Sequence, residues 1–219
     1  AKAVKIPVTV KMRAGWNEKL RNAPDLARRV QDAGAAAVTI HGRTAEQSYT
    51  GLADWDLVAR VAAELSIPVF GSGDCIEPEQ IIDRLGSVSG VLVGRGVLRN
   101  PWILAQAADI AAGRAPRVVT MRERGEFLLE YIDLLLNERV DEADGFRHVA
   151  PGEIARSETT LVVATLARGH QKWVINKLRA LCSWYTKGVD NGSHLRVRVN
   201  SAQSIAELRE IIEEFFALE

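Results

Sequence analysis

Residues 36–74 read AAVTIHGRTAEQSYTGLADWDLVARVAAELSIPVFGSGD, and this stretch sets the fold. Residues 36–40 form a short apolar run that stops at His41-Gly42-Arg43-Thr44. Asp54 then stands at an N-cap position before WDLVARVAAEL, whose apolar residues recur at helical spacing. A second apolar run, residues 67–70, ends in Gly71-Ser72-Gly73-Asp74. The same alternation continues on both sides. Upstream, residues 6–12 form an apolar run, and Asn22-Ala23-Pro24 leads into DLARRVQDAG with Gly34 placed to end the helix. Downstream, Pro78 opens a helix that Gly86 closes, residues 90–93 form a fourth run, and Asn100-Pro101 opens WILAQAADIAAG up to Gly113. A strand-helix unit thus recurs four times at the spacing of roughly thirty residues typical of such units.

Near-continuous apolar strands alternating with amphipathic helices predict an α/β fold with a parallel sheet, either a β/α barrel or a doubly wound sheet; periodicity does not choose between them. After Pro116 the strand signal fades. Helical patterns take over at 122–140, about 153–187 and 204–218, with Ser204 and Glu207 at capping-box spacing. A domain boundary is expected near residues 114–119.

The composition, 47% hydrophobic and 26% charged, is that of a soluble chain able to bury a core. No apolar stretch reaches membrane-spanning length and no secretory signal opens the chain, so no membrane association and a cytoplasmic location are expected. Cys75 and Cys182 lie far apart without metal-ligand spacing, so neither a metal site nor a disulfide is predicted. The net charge of +0 gives no global pull on nucleic acid. Locally, however, Arg168, Lys172, Lys177, Arg179, Lys187, Arg196 and Arg198 stand against the single acid Asp190, interleaved with Trp173, Trp184 and Tyr185. That run is either a nucleic-acid face or a solvated face over a core of aromatic residues.

In parallel β/α folds the working residues sit where strands end and loops begin. Here those positions hold Lys11-Met12-Arg13, His41-Gly42-Arg43-Thr44, Gly71-Ser72-Gly73-Asp74 and Gly94-Arg95-Gly96. The last two have the form of a phosphate site, because glycines admit close backbone approach and Arg95 adds a cation. Lys11 either places a cation beside an electron-rich ring or points to solvent. His41 is either a donor to a ligand or a satisfied core histidine, and Asp74 either a helix cap or a ligand contact.

The runs PVTVKMRAGW, VTIHGRTAEQSYTGLADW, IPVFGSGD and VLVGRGVLRNPWI resemble, in order and spacing, successive stretches of the tRNA-dihydrouridine synthase family. LRALCSWYTKG and SHLRVRVNSAQSIAELREII are similar, more loosely, to the helical C-terminal domain of bacterial members. The resemblance implies a flavoenzyme that holds FMN in a TIM barrel, takes reducing equivalents from NADPH and reduces the C5–C6 bond of a uridine in tRNA. Residues 1–116 would be half of that barrel, its fifth to eighth strands, and residues 117–219 an all-α tRNA-binding domain. Lys11 and His41 would contact the flavin; Ser72 (where the family usually has Asn), Gly73, Asp74, Gly94 and Arg95 would hold its phosphate end. Arg13, Lys177 and Arg179 would meet the tRNA.

The family's catalytic cysteine belongs to an N-x-G-C-P stretch that does not occur here and would lie upstream of Ala1. Because the chain opens on Ala1 and runs almost at once into a strand, its beginning reads as a cut. A half barrel exposes unpaired strand edges, so a homodimer or a complementing N-terminal segment is expected there, and the isolated chain is expected to lack synthase activity. Two other readings remain at this stage: an FMN-binding β/α barrel that reduces a free small molecule, and a non-catalytic tRNA-binding remnant.

Overall fold

The computed structural model describes residues 3–137, 140–141, 147–148 and 160–218, with side chains over 3–137 and 169–218. It divides into two compact units, Ala1–Arg117 and Val118–Glu219.

The first unit is built on β1 (Thr9–Arg13), β2 (Ala37–His41), β3 (Val69–Ser72) and β4 (Gly90–Leu92), all parallel and in the order β1-β2-β3-β4. In this sequential order, crossovers of one hand, the right-handed rule for parallel strands, put the connecting helices on one face of the sheet. Those helices are α1 (Ala23–Asp32), α2 (Trp55–Glu64) and α3 (Pro78–Leu85). Beyond β4 come a short α4 (Arg95–Arg99) and then α5 (Ile103–Ala111), which packs on α3.

Register shows how the faces divide. Val10, Val38 and Val69 share a row, and Met12, Ile40, Gly71 and Val91 share another. These rows face the helices, where Val38, Ile40 and Val69 join Ala27, Val58, Val61, Ile81 and Ile103 in one buried core. Each fully buried aliphatic side chain there stabilises the fold by about 1.5–3 kcal/mol. Side chains alternate along a strand, so Lys11, Thr39 and Phe70, and in the next row Arg13, His41, Ser72 and Leu92, project from the other face.

Local signals account for most boundaries. Asp54 caps α2 by accepting the Leu57 N–H at 2.8 Å, Glu77 and Gln80 form a capping box on α3, and Gly34 and Gly113 adopt φ of 91° and 71° after their helices. Strand β1 begins at Thr9 rather than at residue 6, with Ile6 73% exposed; Pro7 has no N–H to donate there. Residues 94–96, expected as a loop, instead put Gly94 at the N-cap of α4.

The second unit holds α6 (Met121–Asn137), a two-residue antiparallel pair of β5 (Val140–Asp141) and β6 (Arg147–His148), α7 (Thr160–Tyr185), α8 (Gly192–Ser201) and α9 (Ile205–Phe216). The β5–β6 pair departs from the all-α expectation. The expected helix over 122–140 ends at Asn137, residues 138–139 lying outside the described residues, as does the 153–159 portion of the next one. Leu128, Ile132, Leu178, Leu195, Leu208 and Ile212 form the interior, and the buried Tyr185 donates its hydroxyl to the Arg124 carbonyl at 2.9 Å.

Candidate functional site

The C-terminal ends of β1 to β4 and the loops after β2 and β3 enclose a hollow of about 440 Å³, within the range of roughly 300–1,000 Å³ usual for small-molecule sites. Lys11, His41, Ser72, Gly73, Asp74, Gly94 and Arg95 all line it. Seven residues picked from four separate strand ends are thus brought together.

His41 has a defined tautomer. Its Nδ1 accepts the Arg43 backbone N–H at 3.1 Å, which leaves the ring proton on Nε2. That edge lies beside Gly73, whose own φ is 124°. Burial, reinforced by Arg13, Lys11 and Arg43, pushes the imidazole down to about 4, so at neutral pH it is an uncharged donor.

Asp74, in a left-handed conformation with φ 52°, has both carboxylate oxygens engaged. Oδ1 accepts from Arg43 Nη2 and Oδ2 from the Ala53 N–H, each at 2.6 Å. Burial would raise its carboxyl, but these two bonds and the guanidinium charge hold it below the usual carboxylate range. With that negative charge matched by Arg43, the cations Lys11 and Arg95 dominate the lining, and an anion is favoured.

The glycines fall into two kinds. A Cβ on Gly71 would come within 2.1 Å of the Trp55 ring, and one on Gly96 within 2.1 Å of the Cys75 carbonyl oxygen, so packing explains both. A Cβ on Gly94 would meet no atom within 4 Å. Packing leaves that glycine unexplained, and its backbone is open to close approach from the hollow it lines.

Arg13 does not line the hollow; it donates to the carbonyls of Thr44 at 2.9 Å and Ser48 at 3.1 Å, bracing the loop after β2. Lys177 and Arg179 belong to the second unit. Lys177 stands over the Trp173 ring at 5.3 Å, whereas Arg179 donates to the Ala202 carbonyl at 2.8 Å and serves the packing of its own unit. Cys75 and Cys182 are buried, and burial pushes their thiols up to about 11 and about 12. Among the described residues no group of three or more His, Cys, Asp or Glu is placed to hold a metal ion.

Two residues of the hollow's surroundings were given no role in the sequence reading. Arg43, with a side chain only 3% exposed, supports Asp74 from behind. Tyr49 reaches in from the loop after β2, its ring 4.5 Å from the Arg95 guanidinium carbon.

A family profile described as "Dihydrouridine synthase (Dus)" matches residues 1–166, more than half of the 219-residue chain. The chain belongs to the dihydrouridine synthase family. Among relatives, a probable tRNA-dihydrouridine synthase of Rickettsia prowazekii is 32% identical over 219 residues, covering 98% of this chain and 58% of that protein. A probable tRNA-dihydrouridine synthase of Rhodobacter capsulatus is 42% identical over 139 residues, 62% of this chain and 43% of its own length. A tRNA-dihydrouridine synthase B of Xanthomonas campestris is 42% identical over 114 residues, 51% of this chain and 34% of that one. This member of the dihydrouridine synthase family therefore spans between about a third and somewhat more than half of the length of these relatives. Among solved structures, a nitroalkane oxidase from Streptomyces ansochromogenes shares 18% identity at a TM-score of 0.34 over 65% of this chain and 37% of that one. A dihydropteroate synthase from Xanthomonas albilineans shares 14% at a TM-score of 0.35 over 98% and 93%. Likeness at that level decides nothing. Among the described residues no helix is long and apolar enough to cross a membrane.

Proposed function

We propose that the hollow is the flavin site of a tRNA-dihydrouridine synthase, and that the barrel to which β1–β4 belong binds FMN, draws on NADPH and reduces the C5–C6 bond of a uridine in tRNA. The observation that carries this is the convergence of Lys11, His41, Ser72, Gly73, Asp74, Gly94 and Arg95 on one hollow. The sequential strand order and the helices gathered on a single sheet face support reading β1–β4 as consecutive barrel strands. The greater length of the relatives supports placing the remaining strands, with the family's catalytic cysteine, in a segment outside this chain; a second copy pairing along the strand edges is the alternative.

The donors fit FMN. Gly73, the open backbone at Gly94 and the Arg95 guanidinium suit a phosphate, and the Ser72 hydroxyl lies among them. Lys11 and the neutral Nε2–H of His41 suit the oxygens and nitrogens of the ring. Asp74 lines the same hollow but has its oxygens engaged within the protein. When bound, FMN supplies the reducing equivalents for the uracil ring. Lys11 holds positive charge where negative charge develops, and His41 keeps a proton available at Nε2 without adding charge. The target base must leave its stack, at a cost of a few kcal/mol, so contacts with the rest of the tRNA have to offset that cost. In the second unit, Lys177 over Trp173 and Lys187 over Trp184, the latter at 3.7 Å, support a phosphate-binding and stacking surface for it.

The test is a paired titration of the chain with FMN and with riboflavin, which lacks the phosphate. Replacing Arg95→Ala is expected to weaken FMN by roughly 10–100-fold, the worth of a charge-assisted bond, and to leave riboflavin unchanged. Equal loss for both flavins, or for neither, contradicts the assignment. A tRNA gel shift at low salt that persists after flavin removal separates this reading from an oxidoreductase acting on a small molecule.

A further inference from the structure

A carboxylate lining a hollow that favours anions needs an explanation, and the hydrogen bonds around Asp74 supply one. Arg43 sends Nε to the Thr50 carbonyl at 3.1 Å and Nη2 to both the Gly51 carbonyl and Asp74 Oδ1 at 2.6 Å. Asp74 Oδ2 takes the Ala53 N–H at 2.6 Å. One buried guanidinium and one carboxylate therefore join Thr50, Gly51 and Ala53, in the loop after β2, to the turn after β3. The contact is close: a Cβ on Gly73 would come within 2.6 Å of the Ala53 Cβ. Tyr49, one residue before the clasped segment, lies over Arg95, and the Arg43 backbone N–H sets the tautomer of His41.

We infer that Arg43 and Asp74 are positioning residues, a clamp that closes the Tyr49-bearing loop over the hollow and so sets its shape for the ligand, with Asp74 making no ligand contact of its own. For its ligand the inference rests on the flavin reading; for its geometry it does not. A guanidinium cannot shed its proton, so the carboxylate is needed to compensate a charge held away from water. Arg43 Nη1, also buried, has no hydrogen-bond partner among the described residues, which makes the Asp74 bond the more important to that side chain.

A double-mutant cycle decides the matter. Arg43→Met, Asp74→Ala and the double variant are compared with the parent chain by amide hydrogen exchange without ligand and by FMN titration. Either single change is expected to speed exchange at the amides of residues 50–53 while leaving those of α9 unaltered. Each is expected to weaken FMN by roughly 10–100-fold, as removal of supporting groups around a site does, and the double variant is expected to be no worse than either single one. Asp74→Asn, which keeps the side chain's shape and one acceptor, should fall between parent and Asp74→Ala in both measurements; it carries the test if a larger change prevents folding. Loss of FMN affinity in Asp74→Ala with exchange in the loop unchanged, or additive losses in the cycle, overturns the clamp in favour of direct contact. If the parent chain binds no FMN at all, the flavin reading fails, and the exchange measurement alone still decides the clamp.

Discussion

At His41 a single backbone bond determines chemistry, because the Arg43 N–H occupies Nδ1 and leaves Nε2 as the proton-bearing atom. Burial and three nearby cations keep the ring neutral down to about pH 4, against an ordinary value of 6.5. Between those two values the unfolded chain binds a proton that the folded one refuses. This contribution to stability is therefore complete above about pH 6.5 and shrinks as the pH falls toward 4. A nuclear magnetic resonance titration of the histidine side chains should find His41 with a midpoint near 4 in the free chain, shifted upward when an anion occupies the hollow. A midpoint at the ordinary value would show that the ring is neither buried nor crowded by cations. The positions of His41, Lys11 and Arg95 were legible in the sequence because they stand where apolar runs stop. Arg43 was not, although it also stands there. Two of its partners are backbone carbonyls, which leave no trace in side-chain identity, and Asp74 is 31 residues away.

Among the elements, β1–β4 and the helices that open on a proline or a capping side chain were legible in the sequence; α4, α8 and the β5–β6 pair were not. Asp54, Pro78 and Ser204 marked the starts of α2, α3 and α9, and Ser204 Oγ does accept the Glu207 N–H at 3.1 Å. Helix α8 has no side-chain cap, and its Leu195-Arg196-Val197-Arg198-Val199 alternation imitates a strand; it is held instead by Leu195 and Val199 entering the core of its unit. Helix α4 is one turn and a half of sequence that reads as a glycine loop. The loops that carry the site depend on where glycine is needed, and two substitutions separate the reasons. Gly71→Ala pushes a methyl into the Trp55 ring and should cost about 1–3 kcal/mol in thermal or denaturant unfolding. Gly94→Ala, with open space around it, should change stability by less than about 1 kcal/mol yet weaken FMN measurably. If Gly94→Ala left flavin affinity intact, the backbone there would not be part of the site.

On the scale of the whole molecule, the chain forms two compact units, and the proposed function assigns flavin to the first and tRNA contacts to the second. The first has one sheet face packed with helices and the other bearing Lys11, Thr39, Phe70, Arg13, His41, Ser72 and Leu92. Within the second, residues 168–200 concentrate basic side chains, yet Arg179, Arg196 and Arg198 direct theirs to Ala202, Thr186 and Glu214, leaving the lysines beside Trp173 and Trp184 as the better candidates for the proposed RNA surface. Composition concealed that run, since the acidic residues on either side of it help to bring the chain to a net +0. Residues from four strand ends are proposed to share one flavin. Mapping the amide and side-chain resonances of the chain during titration with FMN tests it most directly, since weak binding is still visible. Shifts concentrated at Lys11, His41, Gly73, Gly94 and Arg95 are expected; shifts confined to the second unit, or none as FMN approaches saturation of the solution, would contradict it.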